Sequence, residues 1–355
     1  MAYTTIDKPT DYFNTVLYTG NGYPTSNTQS ITGVGFQPDW IWIKARSGTD
    51  PVVNHALFDS VRGTSKQLKS NQSNAEASNS GVTSFDSDGF TLGSNADSNW
   101  QGNSLVAWNW LAGTSFSNDA SATSVGTIDS SGSFNNDAGF SIVSYTGTGS
   151  AGTIKHGLNV APSWIIAKRR GAAEDWAVYH KSLTASKYIN LNTVNAVESS
   201  TSRWNGVEPT SSVFSVNTHA AINNSSDTYI AYCFAEKKGF SKFGSYEGNG
   251  SSDGTFVYTG FKPAFVITKR ADTGGDNWHI LDNKRDIDNP AQEVISANAN
   301  TAEGTTSTSF IDFLSNGFKC RGTGSSINTS GLTYIYIAFA ENPFVTSTGI
   351  PTTAR

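Results

Sequence analysis

One block of sequence occurs three times along this 355-residue chain, and it constrains the fold more than any other feature. Each copy contains a glycine, a proline, an aromatic residue and a short apolar run that ends in lysine. The copies read GFQPDWIWIKAR, GLNVAPSWIIAKRR and GFKPAFVITKRA, with the aromatic at Trp40, Trp164 and Phe265 and the lysine at Lys44, Lys168 and Lys269. Self-similarity at a long period indicates a tandem array of related units.

A second matched block follows downstream at nearly constant distance. It reads LVAWNWLAG, YIAYCFAEK and YIYIAFAEN, and its closing aromatics are Trp110, Phe234 and Phe339. The two aromatics of a copy are separated by 70, 70 and 74 residues in the three copies. Because two blocks keep one separation, we predict that they belong to the same structural unit.

These matches divide the chain into three segments and two connecting parts. Segment 1 covers residues 1–113, segment 2 covers 138–240 and segment 3 covers 241–345. Residues 114–137 are rich in Ser, Asp and Gly and are predicted to be a linker, with residues 346–355 as a C-terminal tail. Because segments 2 and 3 follow each other directly, we expect them to pack rigidly and segment 1 to have more freedom.

The pattern within each segment predicts an all-β fold of three tandem β-sandwich repeats, jelly-roll or lectin-like, each of about 100 residues. The run from Trp40 to Lys44 is apolar at both parities, which is typical of a strand covered on both faces. Residues 84–92 and 313–319 read as strand, turn and strand. We find no sustained apolar period of 3.6 residues, so long helices are not expected.

Composition excludes several classes of partner. Charged residues make up 15% of the chain and the net charge is −5, without a basic stripe that could neutralise a row of phosphates. No run approaches the roughly 20 apolar residues needed to cross a bilayer, and the amino terminus lacks the regions of a signal peptide. We therefore expect no nucleic acid, no membrane insertion and synthesis in the cytoplasm.

The three copies allow a test for catalytic groups, because a group needed in every unit should recur. One aligned column holds His55, Trp176 and Trp278, and another holds Asp59, His180 and Asp282. No acid or imidazole recurs, so we predict a structural strand, with local ion pairs from Asp59 to Arg62 and from Asp282 to Arg285. Cys233 and Cys320 lack ligand spacing. The chain is predicted to be no enzyme and to hold no metal or cofactor.

The lysine does recur, at Lys44, Lys168 and Lys269. Its aliphatic stem is expected to cover the edge of the core while its ammonium reaches water or a nearby carboxylate such as Glu236 or Glu341. The alternative is contact with an acidic partner or ligand.

Trp100 and Trp204 lie in polar stretches, SNADSNWQGNS and ESSTSRWNGVE. Tryptophan flanked by Asn, Asp and Ser suits a sugar, which binds by ring stacking and neutral hydrogen bonds. These two residues are the candidate glycan-binding site. The alternative is that each ring folds back over the edge of the core.

Blocks including PDWIWIKARS, LFDSVRGTSKQLKSN, TSFDSDGFTLGS and VAWNWLAGTSF resemble a repeated domain of unknown function. That domain occurs in virion structural and tail-fibre-like proteins of marine tailed bacteriophages, among them cyanophages and pelagiphages. The resemblance spans the whole chain and implies a virion protein. It brings no catalytic residues.

Together these observations predict a non-enzymatic virion structural protein, a tail fibre or adhesin that contacts host surface glycan. The alternatives are a capsid decoration protein or head fibre, and a glycan depolymerase, which would need paired carboxylates. Other virion proteins and host surface polysaccharide are the expected partners. A homo-oligomer is expected as well, with a trimer favoured.

Overall fold

The computed structural model describes residues 2–352, which fold almost entirely into antiparallel strands. Within this range the helices are short: a 3₁₀ turn at Pro9–Asp11, α1 (Ala96–Asn99), α2 (Ala120–Thr123) and α3 (Ala220–Asn223). The prediction of an all-β chain is confirmed.

The strands of segment 1 are β1 (Phe13–Thr19), β2 (Gln29–Thr32), β3 (Trp40–Ser47), β4 (Ala56–Asp59), β5 (Lys66–Gln67), β6 (Ala77–Ser78), β7 (Val82–Asp86), β8 (Gly89–Leu92) and β9 (Ser104–Trp110). Residues 114–137 form β10 (Thr114–Asn118) and β11 (Ser130–Asn135). Those of segment 2 are β12 (Phe140–Thr146), β13 (Gly152–Lys155), β14 (Trp164–Arg169), β15 (Ala177–His180), β16 (Lys187–Asn190), β17 (Glu198–Ser199), β18 (Val213–Val216) and β19 (Thr228–Phe234). Those of segment 3 are β20 (Ser241–Glu247), β21 (Phe256–Tyr258), β22 (Phe261–Arg270), β23 (His279–Asp282), β24 (Glu293–Ser296), β25 (Gly304–Thr305), β26 (Ile311–Leu314), β27 (Gly317–Cys320) and β28 (Thr333–Pro343).

Each segment contributes one large sheet. The strand orders are β1-β9-β3-β4 in segment 1, β12-β19-β14-β15-β16-β17 in segment 2 and β20-β28-β22-β23-β24-β25 in segment 3. The strands that carry Trp40, Trp164 and Phe265 are β3, β14 and β22, and each lies in the interior of its sheet. The hairpins predicted at residues 84–92 and 313–319 are confirmed as β7–β8 and β26–β27.

Each large sheet is covered on both faces. A small sheet packs on one face, β2-β8-β7 in segment 1, β13-β18 in segment 2 and β21-β27-β26 in segment 3, and encloses a core within its own segment. The opposite faces of the three large sheets meet in one cluster, the shared core. Trp40 and Trp42 point into the shared core, while Ile41 and Ile43 belong to the core of segment 1. This double burial explains why β3 is apolar at both parities.

Residues 114–137 are not a linker. β10 and β11 pair with each other, and β11 pairs with β12, so they extend the large sheet of segment 2. Phe116 and Phe134, with ring centroids 6.0 Å apart, pack against the core of that segment. The expected freedom of segment 1 is also wrong, because its aromatic side chains are buried in the shared core.

Candidate functional site

The recurring aromatics converge on the shared core. Within each segment two of them are neighbours, with centroid distances of 4.5 Å for Trp40 and Trp110, 4.8 Å for Trp164 and Phe234, and 6.2 Å for Phe265 and Phe339. The closing aromatics also contact one another across segments, at 6.3 Å for Trp110 and Phe234, 5.7 Å for Trp110 and Phe339, and 5.7 Å for Phe234 and Phe339. These side chains hold the segments together and are not accessible to a ligand.

Equivalent side-chain hydrogen bonds join each segment to the next, and segment 3 to segment 1. They run from Trp176 Nε1 to the Lys69 carbonyl at 2.9 Å, from Trp278 Nε1 to the Asn190 carbonyl at 3.0 Å, and from His55 Nε2 to the Ser296 carbonyl at 3.0 Å. The aligned column of His55, Trp176 and Trp278 therefore has one role, which is to place a ring N–H against a carbonyl of a neighbouring segment.

A second set of bonds repeats the same connection through the backbone. The N–H of Glu76 donates to the Arg170 carbonyl at 2.8 Å, that of Val197 to the Ala271 carbonyl at 2.9 Å, and that of Glu303 to the Arg46 carbonyl at 3.0 Å. At two of these junctions the side chains also form ion pairs, with 3.0 Å between Arg170 and Glu76 and 2.8 Å between Arg46 and Glu303. The junction of segments 2 and 3 has Val197 and Ala271 instead.

The two predicted local ion pairs are confirmed, and both are fully buried. Arg62 Nε lies 2.5 Å from Asp59 Oδ2, and Arg285 Nε lies 2.5 Å from Asp282 Oδ2. Each carboxylate also accepts a hydrogen bond from another segment, from Tyr232 Oη to Asp59 at 2.7 Å and from Trp108 Nε1 to Asp282 at 3.0 Å. The acids are thus structural partners at the junctions.

His156 and His180 are buried and hydrogen-bonded to the backbone, His156 within its own segment and His180 also to segment 3. Nδ1 of His180 accepts the Ser182 N–H at 3.2 Å, so Nε2 carries the proton and donates to the Tyr336 carbonyl at 3.2 Å. His156 likewise accepts from the Leu158 N–H at 3.2 Å. Burial lowers the pKa of His156 and His180 to about 4. Both rings are therefore neutral at pH 7.

The recurring lysines are buried, with none of their surface exposed. Their ammonium groups donate to backbone carbonyls, from Lys44 to Ala45 and Pro51 at 3.0 and 3.1 Å, from Lys168 to Arg169 at 2.8 Å, and from Lys269 to Val194 and Asp276 at 3.2 and 2.7 Å. Burial lowers the pKa of all three to about 8.

The expected carboxylate partners of these lysines are wrong. Glu236 forms ion pairs with Lys181 and Lys242, and Glu341 forms one with Lys262 at 2.8 Å. The physical reason is burial, because each ammonium lies against backbone carbonyls of its own strand or of a covering loop. With none of their surface exposed, the three lysines do not present their ammonium groups to a partner in this structure.

Trp204 cannot stack on a sugar, because only 2% of it is exposed. Its ring packs in the core of segment 2, with its centroid 6.0 Å from that of Tyr179. The polar residues around it in the sequence form turns that direct the ring inward, which is the alternative weighed above.

Trp100 is only partly buried and has an aromatic neighbour. Its ring lies 4.8 Å from that of Tyr23, which is 37% exposed. Asn21 and Asn27 stand on the same loop and are exposed. This Tyr23–Trp100 pair presents aromatic surface beside neutral polar groups, and it is the part of the candidate glycan site that the structure leaves accessible.

A recurring buried asparagine positions this loop, and it lies outside the matched sequence blocks. Its side-chain oxygen accepts a backbone N–H at 2.8 Å from Asn21 to Asn99, at 2.8 Å from Thr148 to Asn223 and at 2.9 Å from Asn249 to Asn328. Each asparagine lies 11 residues before the closing aromatic of its segment. That constant spacing was the signal that could have revealed it.

Two clefts lie away from these residues. One of about 640 Å³ in segment 3 is lined by three carboxylates, Asp286, Asp288 and Glu341. Asp286 accepts backbone N–H groups of Gln292 and Glu293 at 2.7 and 2.6 Å, and Glu341 pairs with Lys262. The other, of about 620 Å³, lies beside β10, β11 and β12 and is lined mainly by Ser, Thr, Asn and Asp.

Among residues 2–352, no helix has the length and apolar character needed to span a membrane. In the same range no three His, Cys, Asp or Glu side chains are grouped so as to hold a metal ion. Cys233 and Cys320 are both buried and unpaired.

A family model described as "Domain of unknown function (DUF7483)" matches residues 8–343. The chain belongs to this family. The DUF7483 match runs through all three segments and through residues 114–137. The family match therefore covers the shared core apart from Ile6, together with the hairpin β10–β11. No curated protein matches the chain, and no solved structure does.

Proposed function

We propose that the chain consists of three tandem β-sandwich repeats closed into a ring with approximate threefold symmetry. Three observations support this arrangement: the common order of the first four strands in the three large sheets, the equivalent bonds at the three junctions, and the mutual contact of Trp110, Phe234 and Phe339. One chain thereby forms the threefold arrangement that three single-repeat chains would form as a trimer.

We propose further that this ring is a non-enzymatic structural protein of a phage particle. The observation that carries this proposal is that the recurring lysines and the aligned His and Asp side chains are buried and bonded to other groups of the chain. In the 640 Å³ cleft, Asp286 accepts two backbone N–H groups and Glu341 pairs with Lys262, so structural contacts account for both carboxylates. The sequence resemblance to virion proteins supports the same proposal.

On the particle, the role we propose is that of a tail fibre or adhesin that contacts host surface glycan. The exposed Tyr23 beside Trp100 supports this role, since aromatic rings with neutral polar neighbours suit sugar rings. Tyr23→Ala and Trp100→Ala are expected to weaken binding of the protein to host surface polysaccharide at least tenfold. Tyr258→Ala, which removes an exposed aromatic in segment 3, is the matched control and should bind as the wild type does.

A capsid decoration protein or head fibre is the second candidate, and the threefold ring favours it because capsids offer threefold positions. Labelling purified particles with an antibody against this chain separates the two roles. Label at the tail is the expected result, and label confined to capsid faces would favour decoration. Particles that carry no label would contradict both roles.

A further inference from the structure

The three large sheets differ at the edge where their common order of four strands begins. On segment 2 this edge is formed by β12 and is covered by β11, with β10 beyond it. The equivalent strands, β1 on segment 1 and β20 on segment 3, are the last strands of their sheets. The chain thus covers one of three equivalent edges with its own hairpin.

Four residues of β1 direct their backbone groups away from the sheet. The Tyr12 carbonyl accepts from the Leu111 N–H and the Gly20 N–H donates to the Asn103 carbonyl, so even-numbered residues bond to β9. In an antiparallel ladder the bonding direction alternates along the strand. The odd-numbered residues from Phe13 to Thr19 therefore direct their N–H and C=O groups to the open edge. Two of these groups already have side-chain partners, since the Thr15 N–H donates to Asn14 Oδ1 at 3.0 Å and the Thr19 carbonyl accepts from Gln29 Nε2 at 2.9 Å.

The open edge of β1 lacks the features that prevent strand pairing. Its sequence, FNTVLYT, has no charge and no proline, and its register with β9 has no bulge. Leu17, in the middle of the edge, is 43% exposed. β20 instead carries Lys242, Gly244 and Glu247. Charged side chains and short length are the usual means of protecting an edge, and β1 has neither.

β10 is the free edge of the eight-stranded sheet, and it is better protected. It has five residues against seven in β1, its exposed side chains are small, and Asp119 follows it directly. Among these edges in residues 2–352, β1 is therefore the one most suited to accept another strand.

We propose that β1 pairs antiparallel with β1 of a second copy of this chain across a twofold axis. A register with Val16 on the axis overlaps all seven residues and sets Phe13 opposite Thr19 and Thr15 opposite Leu17. The outward groups of Phe13 and Leu17, the Thr15 carbonyl and the Thr19 N–H then face the other copy, and no like charges meet. The Thr15 N–H and the Thr19 carbonyl must exchange their present side-chain partners for backbone groups of the other copy. An uncharged edge strand pairs through its backbone groups and the fit of its side chains. A second copy of β1 offers an uncharged strand of the same length for such pairing. Because one chain already closes a ring of three, this contact makes a dimer of rings.

The test is the molar mass of the full chain in solution, measured by light scattering after size exclusion. The wild type is expected to have twice the mass of one chain. Leu17→Lys and Leu17→Pro should reduce the mass to that of one chain. Lysine at a sheet edge disfavours pairing with another strand, and proline removes the Leu17 N–H, which faces the second copy and is not used in the β1–β9 ladder. Ser245→Lys and Ser245→Pro alter the equivalent exposed position of β20 and should leave the dimer intact.

Hydrogen exchange provides an independent readout. In the wild type, amides of residues 13–19 are expected to exchange more slowly at high than at low protein concentration, while those of residues 241–247 do not change. If a Leu17 variant does not fold, Thr19→Lys serves in its place, since Thr19 is exposed on the same edge. A monomeric or trimeric wild type, or dimers that survive these substitutions, would overturn the proposal. None of these results depends on where the protein lies in a phage particle.

Discussion

The ring of Trp110 lies 5.7 Å from the ring of Phe339, although one closes segment 1 and the other closes segment 3. Phe234 of segment 2 contacts both. The first and last segments therefore meet directly, and the chain closes on itself around one core. Because each large sheet has one face in that core, the stability of each segment depends on the other two.

The indole N–H groups of Trp164 and Trp176 differ in a way that stability measurements can detect. The Trp176 indole donates to the Lys69 carbonyl, whereas the buried Trp164 indole has no hydrogen-bond partner within residues 2–352. Trp→Phe removes the same atoms at both positions. Trp176→Phe is therefore expected to lower the free energy of unfolding by about 1–3 kcal/mol more than Trp164→Phe, as measured by urea denaturation. Equal losses would show that the junction bond contributes nothing.

Removing one member of the buried pair of Asp59 and Arg62 should be strongly destabilising. Asp59→Ala leaves the Arg62 guanidinium buried without its closest carboxylate and leaves Tyr232 Oη without its acceptor. We expect a loss of about 3–5 kcal/mol in the free energy of unfolding. The matched control is the double variant Asp59→His with Arg62→Leu, which introduces the residues that segment 2 has at these positions, His180 and Leu183.

The double variant should cost clearly less than Asp59→Ala, because it leaves no charge buried and unpaired. A double variant as unstable as the single one would show that the ion pair is required at this junction. That result would contradict the equivalence of the three junctions.

The buried lysines predict a rise in stability with pH. Their pKa of about 8 in the folded chain is below the ordinary 10.5 of lysine, so above pH 8 the unfolded chain binds more protons than the folded one. Each lysine should add about 2 kcal/mol to the free energy of unfolding between pH 7.5 and 9.5. Lys168→Met should reduce the rise in the free energy of unfolding by the contribution of one lysine, as measured by urea denaturation at both pH values. An unchanged pH dependence would contradict the burial of this ammonium.

Lys168→Met also tests the alternative role of the recurring lysine. If the variant folds normally but no longer binds a partner of the wild type, the lysine acts in binding and the structural interpretation is wrong.

The recurring aromatics were predictable from the sequence, but their packing together in one shared core was not. The apolar character of β3 at both parities predicted cover on both faces. It did not show that the cover of one face comes from other segments, because that cover depends on contacts between distant residues, such as that between Trp110 and Phe339. Likewise, His55 looked unrelated to Trp176 and Trp278, since the three share a ring N–H and not a side-chain class.

The errors have related physical causes. Polar neighbours in the sequence suggested an exposed Trp204, yet the burial of a ring depends on the direction in which its turn points. The high content of Ser and Asp in residues 114–137 suggested a linker. In fact Phe116 and Phe134 provide enough apolar surface to hold β10 and β11 on the sheet of segment 2. Composition averages over a stretch, whereas packing depends on its few apolar side chains.

Hydrogen exchange of Phe234→Ala tests most directly whether the three segments share one core. The substitution removes a ring that contacts Trp110, Trp164 and Phe339, and it is expected to cost about 3–5 kcal/mol. We predict that amide protection falls in β9, β19 and β28 alike, although only β19 carries the substitution. Loss of protection confined to segment 2, with β9 and β28 unchanged, would contradict the shared core.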